Sequence, residues 1–101
     1  MTPPLRHGAG GSVVRLMMRH PVADYDAWRR ADDALDSERR RMGALSHAVY
    51  QSLDDPQDIT VEIGFATAHA ARAFAGSPHL RERMAAAGVA GPPEIWLVTE
   101  R

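Results

Sequence analysis

Hydrophobic and polar residues first alternate regularly at Val13 to Arg19 (VVRLMMR), with Val14, Leu16 and Met18 on one side and Val13, Arg15, Met17 and Arg19 on the other. A period of two is that of a β-strand. His20 and Pro21 end it. Asp24 then stands at an N-cap position before Tyr25, Trp28, Ala31, Leu35 and Met42, whose spacing predicts one amphipathic helix of about five turns. Its charged residues, among them Arg29, Asp33, Asp36, Glu38 and Arg39 to Arg41, are expected to face water, and Gly43 closes it.

Two strand-like runs follow, Ser46 to Leu53 and Ile59 to Ala66, joined by the turn residues Asp54, Asp55, Pro56, Gln57 and Asp58. This is a hairpin. Thr67 caps a helix through Ala70, Ala71, Ala73 and Phe74. Gly76 interrupts it, and Ser77-Pro78 starts a further short helix to about Ala87. Glu94 to Glu100 is the last strand.

Strand, helix, strand, strand, helix, strand with a tight central hairpin is the ferredoxin-like split βαβ order, an α+β fold. Right-handed crossovers place both helical segments on one face of a four-stranded antiparallel sheet. The other face would carry Val13, Met17, Trp96 and Val98, too apolar to leave in water. Packing two such sheets face to face, as a homodimeric α+β barrel, removes that surface.

The chain of 101 residues has room for one domain, expected over residues 13–101. Residues 1–12, with no periodicity and several Pro and Gly, are expected to form a disordered tail. Hydrophobic residues at 45% and charged residues at 25% are ordinary globular usage. A net charge of -1 with interspersed signs argues against a nucleic-acid or anionic-lipid partner. The absence of cysteine excludes disulfides, thiol nucleophiles and thiolate metal sites. Neither a secretory signal nor a run of roughly 18 apolar residues occurs, so no membrane partner and a cytoplasmic location are expected. All 12 basic residues are Arg, and Asn is absent, a coding bias that removes any weight from Arg in place of Lys.

The segments Met18-Arg19-His20-Pro21-Val22-Ala23-Asp24-Tyr25-Asp26-Ala27-Trp28, Ser52-Leu53-Asp54-Asp55-Pro56, Ala73-Phe74-Ala75-Gly76-Ser77-Pro78-His79-Leu80 and Gly91-Pro92-Pro93-Glu94-Ile95 resemble the dimeric α+β barrel superfamily. The resemblance is to the branch of antibiotic biosynthesis monooxygenases and polyketide cyclases, over roughly Val13 to Glu100. It implies a homodimer, a pocket between sheet and helices in each subunit, and a role in secondary metabolism. Members that activate oxygen or degrade haem rely on an Asn on the first strand and a Trp at the end of the third. Here no Asn exists and Phe65 holds the Trp position. A cyclase needs only a shaped apolar pocket and a few acid-base groups, and that requirement is met.

Within this frame His20, at the end of the first strand, and His79, at the start of the short helix, are the candidate acid-base groups. The plain alternatives are a loop hydrogen bond for His20 and a surface position for His79. His47 and His69 are expected to face solvent. Leu16, Met18, Tyr25, Trp28, Phe65 and Phe74 are candidate lining residues for a hydrophobic, ring-containing small molecule, although aromatic stripes such as Tyr25 and Trp28 usually serve the core. An Arg15–Glu62 pair is expected on the sheet, with Tyr50 beside Glu62. No ligand spacing for a metal and no Gly-rich phosphate loop after a strand is found, so no metal or cofactor is expected. The expected activity is that of a cofactor-independent, cyclase-like enzyme. The alternatives are a non-catalytic dimeric binding or accessory module, and a monooxygenase with an atypical site.

Overall fold

The computed structural model describes residues 13–101; the tail expected over 1–12, which carries His7, lies outside the described residues. Strand β1 (Val14–Pro21) pairs antiparallel with β3 (Asp58–Phe65) on one side and β4 (Glu94–Thr99) on the other, and β2 (Ala44–Gln51) pairs with β3. The sheet order is therefore β2-β3-β1-β4, antiparallel throughout. Helices α1 (Tyr25–Ala34) and α2 (Asp36–Arg41) follow β1, and α3 (Ala68–Ala75) and α4 (Pro78–Ala86) follow β3. This is the ferredoxin-like order, with each crossover made by a pair of helices.

Local chemistry sets these boundaries. The Asp24 carboxylate accepts from Ala27 N at 3.1 Å, Thr67 Oγ1 from Ala70 N at 3.0 Å and Ser77 Oγ from Leu80 N at 3.3 Å, so α1, α3 and α4 each have a side-chain cap. Pro78 takes the first turn of α4, where its missing N–H costs nothing. Gly43 has φ +103°, the left-handed turn that releases the chain from α2 into β2.

The single long helix expected between Tyr25 and Met42 is broken at Leu35. The Asp32 carbonyl accepts from Leu35 N at 3.0 Å and from Arg39 Nη2 at 2.9 Å, so a guanidinium occupies a carbonyl that a continuous helix gives to its own backbone. Strand β1 also runs past the expected end. Pro21 pairs opposite Asp58, where its carbonyl accepts from Ala90 N at 2.9 Å. Beyond Arg19 the β4 neighbour has already ended, so a residue without an N–H is tolerated there.

Alternation works as expected. Leu16, Met18, Val61, Ile63 and Phe65 are buried beneath the helices, with Trp28 and Phe74 packed onto them. The rings of Phe65 and Phe74 lie 5.4 Å apart. On the opposite face Val13, Trp96 and Val98 are exposed, and register aligns Trp96 with Met17. The expected Arg15–Glu62 ion pair forms there at 3.1 Å, and Tyr50 donates to Glu62 at 2.8 Å. That carboxylate pushes the Tyr50 hydroxyl above its usual range. Arg19 grips Asp58 through two bonds of 3.0 and 2.7 Å on the same face, which holds the Asp58 carboxyl below the ordinary carboxylate range.

Candidate functional site

His20 follows Leu16 and Met18 at intervals of two on β1, so its ring enters the layer between sheet and helices and is 3% exposed. The edge of the pair it forms with Trp28 of α1 spans 5.7 Å between centroids, and Tyr25 lies 6.1 Å beyond. His20 Nδ1 lies 3.3 Å from the Pro21 carbonyl, the loop bond expected as its plain alternative role. With Nδ1–H donating there, Nε2 is left as an acceptor.

Two cavities meet at this residue. A small, more enclosed one of about 20 Å³ is bounded by Met18, His20, Trp28, Asp32, Arg39 and Phe74, among others. A larger one of about 340 Å³ opens between α4, the loop before β4 and the sheet, and is bounded by Met18, His20, Arg81, Met84, Val89 and Ile95, among others. Met18 and His20 belong to both. Burial pushes the His20 imidazole below its usual range, against the smaller opposing pulls of the Pro21 carbonyl and Asp32. The ring is therefore neutral at pH 7, with a nitrogen able to accept a proton, beside an apolar space large enough for a small molecule.

The other sequence candidates separate into groups. Trp28 and Phe74 line the enclosed cavity, whereas Leu16 and Phe65 are sealed in the core at 0% exposure and Tyr25 packs against its edge. His79 is not brought to either cavity. Its side chain is 64% exposed and its Nε2 lies 3.0 Å from Glu38 Oε2, while Arg83 holds the other oxygen of Glu38. The reason is helical rotation. Leu80 is the buried residue of α4, and its immediate predecessor points about 100° away, toward α2.

Sequence reasoning missed a buried polar cluster. Arg39, expected among the solvated charges, is 3% exposed and donates from Nη1 to Asp32 Oδ1 at 3.1 Å. His47, expected to face solvent, pairs opposite Ile63 on the helix side of the sheet, with its Nε2 3.0 Å from Asp32 Oδ2. Its side chain is 13% exposed. A signal existed: Trp28, Asp32, Leu35, Arg39 and Met42 follow each other at four and three residues, so both charges sit in the apolar stripe of the helix. Among the described residues no group of three or more His, Asp or Glu is arranged to hold a metal ion, and no helix is long and apolar enough to cross a membrane.

No family model matches the chain, and no curated protein matches it in sequence. Solved structures match its fold. SnoaB, a cofactor-independent oxygenase from Streptomyces nogalater, superposes with a TM-score of 0.73 at 16% identity, covering 90% of this chain and 95% of that one. A monooxygenase from the gene ActVA-Orf6 of Streptomyces coelicolor, in complex with nanaomycin D, gives 0.68 at 20% identity, with 89% and 88% covered. A conserved protein from Methanosarcina mazei Go1 gives 0.72 at 17% identity, with 89% and 94% covered. The chain thus shares the fold of these oxygenases and of solved antibiotic biosynthesis monooxygenase-like proteins. At these identities the likeness extends to the fold alone.

Proposed function

We propose that this chain is a cofactor-independent, cyclase-like enzyme of secondary metabolism that acts on a hydrophobic, ring-containing small molecule. The observation that carries the reading is the position of His20, a buried base at the wall of a 340 Å³ apolar cavity. Neutral His20 takes a proton from a carbon beside a ligand carbonyl. The carbanion attacks a second carbonyl carbon of the same ligand, forming the ring bond, and the resulting alkoxide recovers the proton. Atoms balance with no oxidant. Arg81, at the cavity wall with its Nε on the Ala75 carbonyl at 3.3 Å, offers a cation to an acidic end of the ligand.

The reading includes a cytoplasmic homodimer closed through the outer sheet face. The charged groups of that face are already paired, Arg15 with Glu62 and Arg19 with Asp58, so covering Val13, Met17, Trp96 and Val98 strands few charges. A second reading, a non-catalytic ligand-binding module, is favoured by one observation: His79 stands outside both cavities and leaves His20 without a second acid-base group from the expected pair.

Incubation with linear and cyclic aromatic polyketide-type compounds, followed by mass spectrometry, tests both. A cyclised product of unchanged oxidation level supports the enzyme, and binding without any product supports the module. A product that has gained an oxygen atom supports the oxygenase alternative.

A further inference from the structure

The buried cluster next to His20 has no part in the proposed reaction, and it is incompletely satisfied. Arg39 Nε is buried without a hydrogen-bond partner, and Asp32 Oδ2 and His47 Nε2, although 3.0 Å apart, are too poorly aligned to hydrogen-bond and have no other partner. Buried polar atoms are seldom left so, and each calls for an occupant or a task. Arg39, Asp32 and His20 all line the small cavity of about 20 Å³. About 10–15 Å³ is enough for one water, which needs two or more polar partners, and this cavity provides both the room and the partners.

The cluster also reaches solvent. His47 lines a cleft with Arg29, Asp33, Asp36 and Arg40, in which Arg29 is paired with Asp33 at 3.2 Å and Arg40 with Asp36 at 2.9 Å. This cleft lies at the β2 edge of the sheet, whereas the ligand-sized cavity lies at the β4 edge, against Met18 and Ile95. His20 shares the small cavity with Asp32 and Arg39 and the open one with Arg81; His47 contacts Asp32 and lines the cleft that also holds the two ion pairs.

We propose that one ordered water in the enclosed cavity joins His20 to Asp32 and Arg39, and that this water, Asp32 and His47 form a proton route from the ligand cavity to the cleft at the opposite sheet edge. The proposal rests on the reading that His20 takes up a proton. Within a turnover the proton returns to the product; a ligand that fills the open cavity shuts His20 off from bulk water on that side, and the route is what resets a His20 that has charged to its neutral form. Protonated His20 gives one N–H proton to the water as the water gives one of its own to Asp32. Asp32 passes a proton to His47 Nε2, and His47 sheds one from Nδ1 into the cleft. Each group gains one proton and loses one, and Arg39 holds the Asp32 carboxylate in place.

The test uses the full chain with no ligand and no turnover, so its failure and a failure of the enzymatic reading are separable. Imidazole ¹⁵N shifts are followed against pH, and a high-resolution crystal structure is examined for density in the cavity. The route requires a water within hydrogen-bond reach of both the His20 ring and the Asp32 carboxylate. It also requires that His47→Gln move the His20 midpoint by about 0.3 pH unit or more, because His47 contacts the Asp32 carboxylate whose charge acts on His20. Asp32→Asn should lower the His20 midpoint by about one unit, through loss of the nearby anion. Should Asp32→Asn fail to fold, His47→Gln and the density still decide. A dry cavity, or a His20 curve that His47→Gln leaves unmoved, overturns the proposal.

Discussion

Arg39 lies across the break between α1 and α2 from Asp32, seven residues earlier, with Nη1 3.1 Å from the carboxylate and Nη2 2.9 Å from the carbonyl. Both residues are buried. Within one stretch of chain the pair therefore neutralises two charges in the core and fixes the angle at which the second helix leaves the first.

Breaking this pair on one side should be costly. Arg39→Leu leaves the Asp32 carboxylate buried without its main partner, a loss of about 3–5 kcal/mol. Replacing both, Asp32→Leu with Arg39→Leu, removes the two desolvated charges together, and buried pairs so replaced are often neutral or stabilising. Urea unfolding of the single and double variants is the measurement. A single variant within about 0.5 kcal/mol of the parent would show that the pair is not held in the core in solution.

This pair also marks where the sequence stops being readable. Strands and caps are local, so the alternation at Val14, Leu16 and Met18, and the caps Asp24, Thr67 and Ser77, point to their structural roles without any tertiary knowledge. Asp32 and Arg39 keep the spacing of the buried stripe, but their charge argues for water, and only the partnership between them reverses that. His47 is harder still. The run Ser46 to Leu53 mixes polar and apolar residues on both sides, so its facing is decided by the pairing with Ile63 and by Asp32, two elements away in the chain. The bearing of His79 depends on which side of α4 is buried, and a weakly amphipathic helix does not announce it.

Stability should depend on pH through His20. Its folded pKa lies below the unfolded value near 6.5, so the unfolded chain binds more protons between the two. The contribution is complete above about pH 6.5 and is lost as pH falls through that value toward the folded pKa. His20→Gln should therefore flatten the decline in melting temperature between about pH 7 and pH 5. A parent and a variant with parallel curves would place the imidazole in contact with solvent.

Trp96 and Met17 stand opposite each other on the sheet face that the proposed dimer buries. Trp96→Glu sets an unpaired charge in that dry interface, and the expected result is dissociation with a lowered melting temperature. Sedimentation at micromolar concentration reads the first and calorimetry the second. An unchanged dimer would mean that association uses another surface, and a parent that sediments as one chain would remove the dimer altogether.

The two histidines that the sequence offers as equals are separated by the fold, and kinetics should separate them too. His20 is buried at the cavity wall and neutral at pH 7, whereas His79 is bonded to Glu38 on the outside of α2 and α4. His20→Ala should lower turnover of a cyclising ligand by about 100-fold or more, while affinity stays within a few-fold, because a proton-transfer group acts in the transition state and apolar contacts bind the ground state. His79→Ala removes one contact of an exposed ring to Glu38, which Arg83 still holds, and leaves both cavities untouched, so turnover should stay within a few-fold of the parent. The pH profile adds a check that packing alone does not mimic: the acid limb of kcat should follow His20 at a midpoint below 6.5 and vanish in His20→Ala. Equal losses in both variants would mean that the Glu38 contact governs the cavity through α4. No loss in His20→Ala would deprive the reaction of its base, and the chain would then be better understood as a binding module.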